Sequence, residues 1–321
     1  MLSGSMTVHK NFEHPLRSLR VLRDLCCAKI VEYSTAKNAK NTQRAQRIKS
    51  KHMAYIKLRG NNHFFEDLNS NNRETILLVH GHPFDHTMWR YQYDTLKNFR
   101  LILPDLKGYG KTDYQFNKIY IEEQALDLAF LLDELNIEQV HLIGLSMGGQ
   151  IIVEFARLFP HRTKSLIICD SNPSGETPAS YQSRLQLADR LISIGMQQYT
   201  EQDIYKYLHA DTIKSRNEAY THLWQMMTNT KAEGAAAAHR GRAERRDNFS
   251  FLKKIDQPAM IIVGSDDFFT PVADMKMVAN EIKNSELVII ENAGHMPNME
   301  QSGIFNHTIS KFYEKVIGEE L

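Results

Sequence analysis

Six short apolar runs alternate along this chain with stretches of helical periodicity, and that alternation restricts the fold more than any other feature. The runs occupy residues 75–79, 100–103, 139–143, 164–169, 259–263 and 286–290, and each stops at a glycine, a proline or a polar residue such as His80, Pro104, Asp170 or Gly264. Helical spacing of apolar residues fills 121–135, 150–158, 272–282 and 304–316. Apolar strands separated by amphipathic helices predict a mainly parallel sheet covered on both faces. In such a sheet the ligand site lies at the carboxyl ends of the strands. Two further strands, 53–58 and 63–67, are expected to form a hairpin turning at Gly60-Asn61-Asn62.

Two stretches fall outside the pattern. Residues 1–52 form a basic extension in which helical spacing of Leu16, Leu19, Leu22 and Leu25 gives way to a polar, basic linker. It reads as a solvated leader, with an organelle-targeting segment or a basic partner-binding arm as the other readings. Residues 172–248 show only helical patterns, with Trp224, Met226 and Met227 and an alanine run at 235–238. They read as a helical cap over the carboxyl edge, inserted between core segments 53–171 and 249–321.

The formal net charge is +1, which points to neither nucleic acid nor an acidic partner. Three cysteines, two of them adjacent, give no disulfide framework and fit a reducing, cytoplasmic setting. No His/Cys spacing suggests a metal, and no apolar run reaches membrane-spanning length. The oligomeric state is not readable from the sequence.

The chemistry sits at the strand ends. The run 139–143 leads into Gly144-Leu145-Ser146-Met147-Gly148-Gly149 and then a helix. A serine at so tight a turn projects its oxygen above the sheet, and flanking glycines prevent collisions. A serine hydroxyl needs an adjacent base to act as a nucleophile. Asn292-Ala293-Gly294-His295, after the last strand, offers His295 as that base. Ser265-Asp266-Asp267, after the strand before it, offers two candidates for the acid that orients the imidazole.

These motifs, in the order serine, acid, histidine, resemble those of the α/β-hydrolase superfamily, and the small esterases and lactonases within it, such as 3-oxoadipate enol-lactonase-like and pimeloyl-ester carboxylesterase-like proteins. The resemblance spans roughly residues 53–316. It implies an α/β-hydrolase fold: a mostly parallel eight-stranded sheet flanked by helices, with a helical cap insertion. The family pattern G-x-x-D-x-x-x-P selects Asp267 over Asp266. The segment His80-Gly81-His82-Pro83 resembles the family's H-G-x-P, which implies that the backbone amides of His82 and Met147 form an oxyanion hole. Asp105-Leu106-Lys107-Gly108-Tyr109-Gly110-Lys111-Thr112 resembles a structural loop of the family, and Asp85 and His86 are expected to tie down the loop they occupy.

The expected activity is cleavage of a small-molecule carboxylic ester or lactone through an acyl-enzyme on Ser146, with no cofactor. Alternatives are a carbon–carbon bond hydrolase or perhydrolase on the same scaffold, or a non-catalytic small-molecule receptor. Trp224 and Met227 are candidates for the substrate lining, with packing of the cap as the competing role. The run Gly241-Arg242-Ala243-Glu244-Arg245-Arg246-Asp247 reads as a solvated, charged edge of the cap.

Overall fold

Runs of Val, Ile and Leu with no polar face cannot sit at a wetted sheet surface, and here they form the centre of the sheet. The computed structural model describes residues 52–115 and 117–318, so the basic extension lies outside the described residues apart from His52. Eight strands form one sheet: β1 (His52–Leu58), β2 (Asn61–Leu68), β3 (Thr75–Val79), β4 (Arg100–Pro104), β5 (Val140–Leu145), β6 (Thr163–Cys169), β7 (Ala259–Gly264) and β8 (Ser285–Ile290). Their order is β1-β2-β4-β3-β5-β6-β7-β8. β2 is antiparallel to both its neighbours, and the pairs from β4 to β8 are parallel. Every residue of β3, β5 and β7 is buried, as a sheet covered on both faces requires.

The hairpin turns earlier than the composition suggests. Leu58 pairs with Asn61, so Arg59 and Gly60 alone make the turn. Both have positive φ, 46° and 90°, the geometry of a two-residue turn whose twist matches the strands. Asn61 and Asn62 are thereby drawn into the ladder.

Helices α1 (Ile121–Glu134), α2 (Met147–Leu158), α7 (Val272–Glu281) and α9 (Ser302–Ile317) follow the periodic stretches. Between β6 and β7 the chain makes a helical insertion: α3 (Pro178–Asp203), broken at Gly195, α4 (Ala210–Ser215), α5 (Glu218–Asn229) and α6 (Ala232–Ala243). A one-turn helix, α8 (Pro297–Glu300), follows β8. Helix α6 lies very close to the core. A Cβ at Gly234 would stand 2.0 Å from the carbonyl oxygen of Gly108, and one at Gly241 would stand 2.0 Å from that of Ile119. Among the described residues no helix is long and apolar enough to cross a membrane.

The strand order reverses between β3 and β5, since β4 lies on one side of β3 and the chain then returns to the other. The crevice at this switch point opens between the loop after β3 and the turn after β5. The loop after β3 meets Ser146 there, and Asp267 and His295 follow β7 and β8 at the same carboxyl edge of the sheet.

Candidate active site

Ser146 stands between the last residue of β5 and the first of α2, with φ 56° and ψ −118°. A non-glycine residue in this region is strained and is held only by its surroundings. Here the Ser146 amide donates to the carbonyl of Cys169 at 2.9 Å, and the Ser146 carbonyl accepts from the Ser171 hydroxyl at 2.6 Å. Gly148 has no room for a side chain, because a Cβ would lie 2.1 Å from the carbonyl oxygen of Val79. That close approach presses the first turn of α2 against β3 and the loop beyond it. A Cβ on Gly81 in that loop would lie 3.0 Å from the Cβ of Ser146.

His295 is buried after β8, with its Nδ1 2.9 Å from both carboxylate oxygens of Asp267. A carboxylate only accepts, so Nδ1 carries the proton and Nε2 is left with its lone pair. Burial would raise the pKa of Asp267, but His295, the Thr270 hydroxyl and the Phe269 amide outweigh it and hold the acid below its usual value. Asp266 is exposed and does not meet the imidazole. The rings of Phe269 and Tyr207 flank His295 at 4.9 and 6.0 Å. Glu300 clasps the loop to the insertion: its two oxygens accept from the amides of Gly294 and His209, each at 2.7 Å.

Asp170, which follows β6, adds a second buried acid. One oxygen accepts from the Gly264 amide at 2.9 Å, and its carboxyl lies within 4.8 Å of the nearest Asp267 and His295 atoms. Burial and the neighbouring charge of Asp267 push its pKa well up.

The loop after β3 is fixed from below. His86 binds Asp105 at 2.7 Å through Nδ1, and the His86 amide donates to the same oxygen at 2.9 Å. Asp85 caps the following turn by accepting from the Thr87 amide at 2.8 Å. Asp105 also accepts from the Lys111 amide, and Thr112 donates to the Asp105 carbonyl, so the 105–112 segment is a brace for this loop. Among the described residues, neither the His82 nor the Met147 backbone amide has a protein acceptor, as a loop residue and a first-turn helix residue can afford at an open site.

The side chain of His82 lies in a polar chain that sequence reasoning did not anticipate. Arg184 Nη1 is 3.5 Å from His239 Nδ1, His239 Nε2 is 2.9 Å from His82 Nε2, and His82 Nδ1 is 2.9 Å from the Tyr109 hydroxyl, which points to the Met147 sulfur at 4.0 Å. Arginine only donates, so His239 accepts at Nδ1 and donates from Nε2; His82 then accepts at Nε2 and donates from Nδ1 to Tyr109. Burial and nearby guanidiniums lower the pKa of both imidazoles, which keeps them neutral as this chain requires. Tyr109 was visible in the glycine-rich loop, but His239, in the helical insertion, carried no local signal.

Met227 is fully buried within the hydrophobic cluster, whereas Trp224 is half-buried and stacked on Tyr220 with ring centroids 6.2 Å apart. The segment 241–247 is not a uniformly solvated edge. Glu244, Arg246 and Asp247 are exposed, but Arg242 is 7% exposed and Arg245 is largely covered, because α6 packs against the core loops.

Comparison with known proteins agrees with this architecture. An esterase from Thermogutta terrifontis, solved with malate bound, superposes with a TM-score of 0.77 at 33% identity, covering 84% of this chain and 99% of the esterase. A 3-oxoadipate enol-lactonase from Acinetobacter baylyi is 28% identical over 70% of this chain and 82% of its own length. A 2-hydroxy-6-oxononadienedioate/2-hydroxy-6-oxononatrienedioate hydrolase from Cupriavidus pinatubonensis is 25% identical over 74% of this chain and 86% of its own. Residues 74–302 match the alpha/beta hydrolase fold family, to which this chain belongs.

Proposed function

We propose that this hydrolase-family protein cleaves a small carboxylic ester or lactone, with Ser146 as nucleophile, His295 as general base and Asp267 as the acid that orients it. The observation that carries the reading is the pair of 2.9 Å contacts from Asp267 to Nδ1 of His295, which leaves Nε2 as the basic nitrogen. His295 takes the Ser146 proton as the hydroxyl attacks the carbonyl carbon, and returns it to the leaving oxygen as the acyl-enzyme forms. Water then attacks the acyl group by the same route. The amides of His82 and Met147 are the proposed donors to the oxyanion, and the N-terminus of α2 adds its dipole. The bound substrate is proposed to lie beneath the helical insertion, whose helix α5 carries Trp224 and Met227. No step in this sequence calls for a metal or cofactor.

Turnover of short-chain esters that vanishes in Ser146→Ala, together with labelling of the wild type by a fluorophosphonate, is the expected result. Wild-type protein that neither turns over esters nor takes the label would overturn the reading. The likeness to a carbon–carbon bond hydrolase supports a second reading on the same three residues. Cleavage of a vinylogous diketone in preference to esters would select it.

A further inference from the structure

His239 and Arg242 are three residues apart on α6 and so share a face. They reach the two sides of the nucleophile. His239 meets His82, whose neighbour Gly81 abuts Ser146. Arg242 Nε donates to the side-chain oxygen of Gln150 at 3.2 Å, and Gln150 is one helical turn along α2, its amide bonded to the Ser146 carbonyl. Arg242 is therefore suspended over the first turn of the helix that Ser146 heads.

Its charge is not matched. The bond to Gln150 is its one side-chain hydrogen bond among the described residues, and its two terminal nitrogens, though unpaired, are not sealed from solvent. Glu176, the carboxylate whose field favours the charge on Arg242, is itself engaged by Arg184 and Arg245. Glu154, one turn beyond Gln150, is engaged by Arg157 and Asn248. The other polar groups near Arg242 are the neutral imidazoles of His82 and His239 and the phenols of Tyr109, Tyr199 and Tyr207, whose pKa values burial raises. Burial and the two neighbouring guanidiniums also weigh against the charge on Arg242, yet an arginine side chain does not give up its proton in a protein. A buried, uncompensated guanidinium is costly unless an anion arrives to pair with it.

We propose that Arg242 is an anion subsite of the active site, and that the substrate is a small ester or lactone carrying a free carboxylate a few bonds from the carbonyl that Ser146 attacks. The two terminal nitrogens present the fork geometry that a carboxylate accepts in a bidentate manner. This rests on the ester or lactone reading above and narrows it to anionic substrates.

Two matched pairs test it: monomethyl succinate against methyl butyrate, with the carboxylate on the acyl side, and acetoxyacetate against propyl acetate, with the carboxylate on the alcohol side. The wild type is expected to favour the charged member of at least one pair in kcat/KM. Arg242→Met should reduce that preference by about 10- to 100-fold, the usual worth of a charge-assisted hydrogen bond, and Arg242→Lys should restore part of it. Thermal unfolding supplies a second readout: Arg242→Met should melt no lower than wild type, since it removes an unpaired buried charge. No preference in either pair, or a loss that is equal for charged and neutral esters, would overturn the proposal. Titration of Ser146→Ala with monomethyl succinate separates the two claims. Arg242-dependent binding without wild-type turnover would remove the hydrolase reading and keep the anion subsite, whereas turnover of esters without such binding would do the reverse.

Discussion

Nδ1 of His295 is equidistant, at 2.9 Å, from the two carboxylate oxygens of Asp267, and each of those oxygens also accepts a hydrogen bond from the 269–270 turn. The acid is thus held by its own loop before it holds the imidazole. Asp267→Asn would keep the shape but present an N–H where the ring needs an acceptor, favouring the wrong tautomer. The expected result is a fall in kcat of about 1,000- to 10,000-fold with little change in KM, as such substitutions produce in serine triads. Asp266→Asn, one residue away and exposed, should stay within about threefold of wild type. Steady-state ester kinetics on both variants check the pair, and equal losses would reassign the acid.

The Glu300 clasp joins the histidine loop to the insertion. Burial raises the pKa of this carboxyl, and the Thr212 side chain and the amides of His209 and Gly294 are the donors that counter it. Glu300→Gln sets an NH2 group against one of those amides. It should cost about 1–3 kcal/mol in urea unfolding, the range for leaving a buried donor unsatisfied. It should also lower kcat, since His295 follows Gly294 directly.

At Gly148 the constraint is contact with the neighbouring backbone. Gly148→Ala forces a methyl group to 2.1 Å from the Val79 carbonyl and 2.7 Å from that of His80, so β3 and α2 must separate. A loss of about 1–3 kcal/mol or more is expected from overpacking, with a fall in ester turnover because Ser146 and the His82 loop move apart. Unfolding curves and kinetics that match wild type would show that the turn accommodates a side chain.

His86 predicts a loss of stability at alkaline pH. Burial alone would lower its pKa, but hydrogen bonds to Asp105 and Glu66 raise it to about 9. The folded state then holds a proton that the unfolded chain, near 6.5, releases first. The stabilisation is complete below about pH 6.5 and is lost as pH rises through about 9; it is worth on the order of 3 kcal/mol. Unfolding free energies at pH 6 and pH 9.5 should differ in that direction, and His86→Gln should flatten the difference.

Much of the site was legible from local pattern. An apolar run entering Gly-x-Ser-x-Gly has few backbone solutions, so Ser146 at a strand-to-helix turn follows from sterics alone. The alternation of runs and helices likewise implies a parallel sheet with its loops gathered at one edge, which brings residues 80–85, 146 and 295 to the same end. The choice between Asp266 and Asp267 is different. Both sit in one turn with the same chemistry, and spacing alone leaves both open; a family pattern favoured Asp267, and only the coordinates show which carboxylate faces the ring.

The helical insertion was the least legible part. Arg242, Arg245 and His239 belong to a segment whose local composition is that of a wetted surface, and nothing within it records that Gly234 and Gly241 let α6 lie directly on the backbone at Gly108 and Ile119. The amino-acid order by itself determined the strands, their sequence and the turn that exposes the serine, because these depend on neighbours along the chain. Tertiary structure alone decided which charges lost their water and which groups they then faced, because burial is set by contacts between residues far apart along the chain, such as Arg242 with Gln150 and Gly234 with Gly108.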